Sequence, residues 1–218
     1  MTQQSQEQSW EKKILWEQEF WTKGWLVAGT DEAGRGPLAG PVVAAAVILS
    51  PDRQILGIDD SKRLSVSYRE HLYGQICLRA RTIGVGVVGP RTIEKINILE
   101  ASRVAMIRAL SYLNHTPRVV LTDAMPIGGP WDEYPLIHGD QLSVSIGAAS
   151  IVAKVIRDRY MTVLAQRYPE YGFERHKGYP TPYHRAMILE YGPCAAHRRT
   201  FLSKIMPRAG SDPQGISQ

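Results

Sequence analysis

The chain has 218 residues, room for one domain with a full hydrophobic core and at most a small appendage. Apolar residues at 44% and charged residues at 22% exclude a disordered chain, and no apolar run approaches the roughly 20 residues that span a bilayer. Its 26 Lys and Arg against 21 Asp and Glu leave a net charge of +5, a mild lean towards polyanions that solubility alone would also account for.

Met1 to Gln8 are polar and expected to fray. Trp10, Leu15, Trp16, Phe20 and Trp21 recur at helical spacing and predict a short amphipathic helix packed on the domain. Glu11, Glu17 and Glu19 would repel anionic lipid, which argues against membrane insertion. Met1 to Lys13 has no apolar core, so no secretory signal is expected. Cys77 and Cys194 show neither C-x-x-C spacing nor a disulfide pattern, which points to a reducing, cytoplasmic setting.

Leu26 to Pro37 is the most telling stretch. A short apolar run with β-branched Val27 and Thr30 ends on two adjacent carboxylates, Asp31 and Glu32. On an ideal strand they point to opposite faces. Both serve one site only if the strand ends and twists there, or if one contributes its carbonyl. Gly34 and Gly36 make the following turn cheap and let a ligand approach the backbone, and Arg35 offers a cationic fork suited to phosphate.

Pro41 to Leu49 reads as a strand buried on both faces, and Asp59 to Ser65 as a polar loop leading to a helix at Val66 to Arg79 with Ser65 as N-cap. Arg81 to Gly89 is a third strand. Its Gly84-Val85-Gly86-Val87-Val88-Gly89 fits the dinucleotide pattern, but the glycines fall within the strand and no acid follows from Ala101 to Thr122. Ile96, Leu99, Val104, Ile107 and Leu110 share a helical face in Ile93 to Asn114. Arg118 to Ala124 is another apolar strand ending on a carboxylate, Asp123. A Gly/Pro loop precedes a short strand at Tyr134 to His138. Gly139-Asp140 then opens a long helix, Leu142 to Arg167, whose small residues from Ser143 to Ala153 suit close packing on a sheet. Tyr168 to Pro180 reads as an irregular loop, and Thr181-Pro182 as cap and first residue of a helix reaching Tyr191. From Met206 the tail looks loose.

Asp31 and Asp123 each end an apolar strand. If those strands are parallel neighbours, both acids lie at the sheet edge where open α/β folds bind ligands. Asp140, at a helix N-terminus, is expected to stay ionised. With Glu32 they make four carboxylates whose mutual repulsion calls for bound metal, and oxygen donors favour Mg²⁺ or Mn²⁺ over zinc. Asp158 lies about 27 Å further along the same helix at 1.5 Å per residue, too far to join them. No G-x-S-x-G elbow or Walker motif is present. The equipment is that of two-metal phosphodiester hydrolysis, with ions about 3.5–4 Å apart, one activating water and the other steadying the leaving oxygen.

The segment Asp31 to Leu49 resembles the signature of bacterial ribonuclease HII. So do Asp60 to Ser65, Asn97 to Met106, the Leu121 to Ala124 strand end, Gly139-Asp140 with Ser145 to Arg159, and His176 to Thr181. The likeness runs in order from about Leu15 to Phe201. It implies an α/β fold, a ribonuclease H-like mixed five-stranded sheet flanked by helices with a C-terminal helical extension. The organisation would be an N-terminal segment and helix (1–22), a catalytic domain (23–168), the extension (169–206) and a flexible tail (207–218).

By the resemblance, Asp31, Glu32, Asp123 and Asp140 are the catalytic metal ligands for two Mg²⁺ or Mn²⁺ ions. Gly34, Arg35 and Gly36 read the ribonucleotide 2′-hydroxyl, the group that separates RNA from DNA. Tyr179 would stack on the sugar at the RNA–DNA junction, and Lys62 would contact phosphate. The sequence departs at His138, where many relatives carry Lys or Arg, and at Gly147, where alanine is usual and glycine lowers helix stability by up to about 1 kcal/mol. The implied protein is a cytoplasmic, monomeric endonuclease. It cuts the RNA strand of RNA–DNA hybrids and nicks duplex DNA 5′ of embedded ribonucleotides, leaving 3′-hydroxyl and 5′-phosphate ends, in DNA replication and repair. Rival readings are a non-catalytic hybrid-binding module, which would not need four carboxylates, a nicotinamide oxidoreductase resting on Gly84 to Gly89, and a resolvase of the same fold.

Overall fold

A computed structural model describes residues 3–206. Its strands are β1 (Val27–Ala33), β2 (Val42–Ile48), β3 (Thr82–Val88), β4 (Val119–Asp123) and β5 (Asp132–Leu136). They form one sheet in the order β3-β2-β1-β4-β5. β1, β2 and β3 pair antiparallel, whereas β1, β4 and β5 are parallel, so the expected mixed sheet is present. Helices α1 (Gln3–Lys13) and α2 (Leu15–Trp21) precede it, and α3 (Val66–Arg79) and α4 (Pro90–Ser111) fall between strands. The short α5 (Gly139–Leu142), α6 (Val144–Arg167), the single turn α7 (Phe173–His176) and α8 (Pro182–Tyr191) follow. No described helix is long and apolar enough to cross a membrane.

Helices cover both faces of the sheet. On β2, Val42, Ala44, Ala46 and Ile48 pack with α4, while Ala45 and Val47 pack with α3 and α6. Burial on both sides is why β2 reads as one unbroken apolar run. Every residue of α6 from Val144 to Ala153 is buried, so its small-residue face packs on the sheet. The approach is close: a Cβ added at Gly29 of β1 would stand 2.1 Å from the Ser145 carbonyl carbon. Gly84 and Gly86 serve the other face, where added Cβ atoms would meet the Ala109 and Ala105 carbonyl oxygens at 2.0 Å. Those glycines lie within β3 and admit a helix, not a dinucleotide.

The caps form where expected. Ser65 Oγ accepts the Tyr68 N–H, and Thr181 Oγ1 accepts the His184 N–H. Several expectations need correction. Residues 3–8 are helical, and Gln6 Nε2 donates to the Tyr68 hydroxyl at 2.9 Å. The buried face through both helices is Trp10, Lys13, Glu17 and Phe20, so Leu15 is 64% exposed and Glu17 is buried instead. There Glu17 accepts the Ser145 N–H at 2.9 Å, tying α2 to the start of α6. In α4, Asn97 has φ 64° and its Oδ1 accepts the Leu99 and Glu100 N–H groups, restarting the helix. The buried face beyond it is Ala101, Ala105, Met106, Ala109 and the expected Leu110, whereas Leu99 faces out at 49% exposure.

β5 begins two residues earlier than expected, and Ser143 separates α5 from α6 by capping the latter. The 168–180 stretch contains a 3-10 turn (Pro169–Tyr171) and α7 rather than loop alone. At Gly147 an alanine methyl would meet Ile58 Cγ2 at 2.8 Å, which gives the departure a packing reason. The expected tail, 207–218, and residues 1–2 lie outside the described residues.

The contact at Gly29 sets a test. Gly29→Ala forces α6 off β1 and should lower stability by about 2–3 kcal/mol in urea unfolding. An unchanged midpoint would contradict the packing described.

Candidate active site

β1 and β4 pair from Val27 and Val119 to Thr30 and Thr122. One residue later, where Asp31 and Asp123 stand, the ladder ends and β1 continues to Ala33 against β2 alone. Such a parting at strand carboxyl ends is where open α/β sheets hold ligands. β1 runs out into a turn at Gly34, whose φ of +99° suits glycine.

Asp31 is 6% exposed. Its Oδ1 accepts the Glu32 N–H at 2.8 Å, and Ser150 of α6 hydrogen-bonds its carboxyl. The Ser150 hydroxyl is in turn 2.9 Å from that of Ser61. Glu32 pairs with Arg35 at 3.4 Å. Asp123 Oδ1 accepts the Gly139 N–H at 2.8 Å, which draws the start of α5, and with it buried Asp140, to the end of β4. Ala124 (φ 54°) and His138 (φ 58°) flank this contact in left-handed conformations costly for non-glycine residues. His138 itself is exposed.

Asp31, Glu32, Asp123, Lys62, the Gly34 to Gly36 turn and Tyr179 border one cavity of about 320 Å³. The strand end therefore brings both adjacent acids to one space. Asp140 adjoins the cavity without lining it. Tyr179 is 44% exposed, and Gly36 has open space up to the Tyr179 ring, 3.8 Å from where a Cβ would be. Tyr179 is thus not a packed core residue. Asp158 is occupied elsewhere, by Lys154 at 2.7 Å.

Burial first, and neighbouring acids second, raise three of these carboxyls. Burial, then Glu32 and Asp123, push the Asp31 carboxyl well above the usual range. Burial outweighs Arg35 and, with Asp123, lifts Glu32 to about 7. Asp140 is also raised, by burial first and then by Asp123 and Asp60. A four-residue turn has too little dipole to offset burial. For Lys62, burial alone would lower the ammonium, but Asp60, Asp31, Asp140 and Asp123 together hold it up.

The chain's own residues fit a hard divalent cation. The donors are carboxylate and hydroxyl oxygens, neither cysteine lines the cavity, and the buried like charges want a counter-cation. Among the described residues no three such groups are gathered closely enough to cage an ion as they stand; mutual repulsion favours that separation. Sequence reasoning missed Asp60, Ser61, Ser150, Lys154 and Arg157 around this site. Ser150 had a faint signal as a polar residue between apolar ones, but its partnership with Ser61 spans 89 positions and is visible only in the fold.

These shifts have a signed consequence. Glu32 holds its proton up to about 7 in the fold against 4.5 as its ordinary value, so the metal-free protein loses stability as pH rises through that window. In chelator, Glu32→Gln should therefore gain stability over the parent, by on the order of 2–3 kcal/mol as pH goes from 4.5 to 7. Thermal unfolding of both proteins across pH checks it, and a difference that stays flat would refute the burial of this charge.

The described geometry has relatives. Residues 28–204 match the family model described as Ribonuclease HII. A "Ribonuclease HII" from Geobacillus kaustophilus is 51% identical over 196 residues, 89% of this chain and 75% of that protein. The crystal structure of ribonuclease H2 from Pyrococcus horikoshii OT3 superposes with a TM-score of 0.70 at 29% identity, over 83% of this chain and 96% of that one. RNase HII in its PCNA complex from Archaeoglobus fulgidus superposes with a TM-score of 0.67 at 27% identity, over 79% and 93% of the two chains. With the fold and most of the sequence in agreement, the chain belongs to the ribonuclease HII family, endonucleases that cut the RNA of RNA–DNA hybrids.

Proposed function

We propose that Asp31, Glu32, Asp123 and Asp140 hold two divalent ions, Mg²⁺ or Mn²⁺, and that the protein also nicks duplex DNA 5′ of embedded ribonucleotides, leaving 3′-hydroxyl and 5′-phosphate ends. The observation that carries this reading is that Asp31 and Glu32, at the parting of β1 and β4, are raised by burial and by the charge of neighbouring Asp123. When bound, such ions would supply an activated water and a charge that steadies the leaving 3′ oxygen.

The protein's own groups do the rest. Ser150 and the Glu32 N–H hold Asp31, and the Gly139 N–H holds Asp123, so these carboxylates are oriented before substrate arrives. Lys62 and Arg35, exposed at the rim, meet the phosphates on either side of the cleaved bond. The Gly34 to Gly36 turn offers backbone to the 2′-hydroxyl, and the exposed Tyr179 ring offers a face to the sugar and base of the next nucleotide. Residues 23–168 carry the chemistry, with 169–206 as the extension that supplies Tyr179. The reading implies a monomer acting in the cytoplasm in ribonucleotide removal during DNA replication and repair.

Purified protein with Mg²⁺ or Mn²⁺ should nick a duplex carrying one ribonucleotide, ignore the all-DNA duplex, and stop in chelator; cleavage that persists in chelator would refute the metal site. Asp123→Asn should lower turnover about a thousandfold or more while hybrid binding changes little. Loss of folding would instead make Asp123 structural. Tyr179→Ala should impair the single-ribonucleotide substrate more than a long hybrid, and equal losses would remove its junction role.

A further inference from the structure

Two guanidinium groups lie in the interior beside the candidate site. Arg157 of α6 is 1% exposed and Arg198 is 0% exposed, and neither forms an ion pair among the described residues. All their hydrogen bonds go to main-chain carbonyls. Arg198 donates to Gly34 O at 2.6 Å, Arg35 O at 2.9 Å and Gly40 O at 2.9 Å. Arg157 donates to Pro41 O at 3.1 Å, Ala39 O at 3.3 Å and Lys177 O at 3.0 Å. Buried cations without anions are poor stabilisers, and well-packed apolar residues usually serve a core as well or better. Their geometry has more to offer than their stability.

A trans peptide points its C=O and N–H in opposite directions. With the Gly34 and Arg35 carbonyls drawn inward to Arg198, the N–H groups of Arg35 and Gly36 are turned to the other side, where the cavity lies. Arg157 joins this loop to the one bearing Tyr179: one of its nitrogens bonds both Ala39 O and Lys177 O, and its guanidinium carbon lies 5.9 Å from the Tyr179 ring centre. The Leu38 N–H bonds Gly178 O at 2.8 Å across the same seam. Gly34 leaves no slack, since a Cβ there would fall 2.0 Å from Arg157 Nε.

We infer that Arg157 and Arg198 are positioning residues: Arg198 turns the Arg35 and Gly36 N–H groups towards the ribose 2′-hydroxyl, and Arg157 fixes the distance from that turn to Tyr179. The inference rests on the proposed reading of the site as one that recognises a single ribonucleotide. Lysine, a compact point cation, keeps the charge but lacks the planar spread of donors that meets these separate carbonyls.

The test compares kcat/KM on a single-ribonucleotide duplex with kcat/KM on a uniform RNA–DNA hybrid. A hybrid offers many 2′-hydroxyls and does not depend on one junction, so it tolerates a misplaced loop better. Arg157→Lys and Arg198→Lys should each lower the ratio of the two values about tenfold, with melting temperatures showing folded protein. Gly178→Ala is the second variant, because its methyl would press on Ala39 O at 2.6 Å and widen the same seam without touching either arginine's charge; it should lower the ratio in the same direction. Losses equal on both substrates, or an unchanged ratio in a folded variant, would overturn the inference. If the unsubstituted protein cuts long hybrids but not the single-ribonucleotide duplex, the functional reading fails first and takes this inference with it.

Discussion

Negative charge buried at the place where two strands stop pairing governs the rest of this structure. Asp31 and Asp123 would face each other in register if β1 and β4 continued, and the ladder gives way one residue before them. Burial and mutual repulsion then make ionisation of Asp31 and Glu32 unfavourable. A protein carries that strain only if the surrounding fold is firm. Here the firmness comes from a sheet buried on both faces and a helix, α6, seated directly on β1. The same close seating delivers Ser150 to Asp31, so one packing decision both supports and orients the acid.

Around the acids, the parts that would read a nucleic acid are mostly main chain, and they are held from behind. Two arginines take the carbonyls of the 34–41 loop. Histidines hold the Tyr179 loop: His184 Nδ1–H donates to the Tyr179 carbonyl, and His197 Nε2 lies 3.0 Å from His184 Nε2. Burial pushes both imidazoles down to about 4, so they stay neutral and one can donate to the other. The C-terminal segment thus both carries Tyr179 and braces its loop.

How much of this was legible in the sequence depended on range. Strand ends marked by carboxylates, the unbroken apolar run of β2, and the Ser65 and Thr181 caps are local signals, and the structure has them where the residues suggested. The parallel pairing that brings Asp31 to Asp123 was only a condition in the sequence, and the structure meets it. What failed was also local in appearance but decided at a distance. Asn97 reads as one more helical residue until its side chain is seen taking two N–H groups. Glu17 reads as a solvated charge, yet it meets the Ser145 N–H, 128 positions away. Arg157 and Arg198 look like two basic residues among 26, because their acceptors are carbonyls and carbonyls have no sequence signature.

The central claim is that these acids exist to bind divalent cations, and direct counting of Mn²⁺ tests it best. Electron paramagnetic resonance titration of the protein with a bound, uncleavable hybrid should give two Mn²⁺ per chain, and removing the Asp31 carboxylate by Asp31→Asn should abolish at least one of them. Mn²⁺ binding that is absent, or that is indifferent to Asp31, would contradict the account.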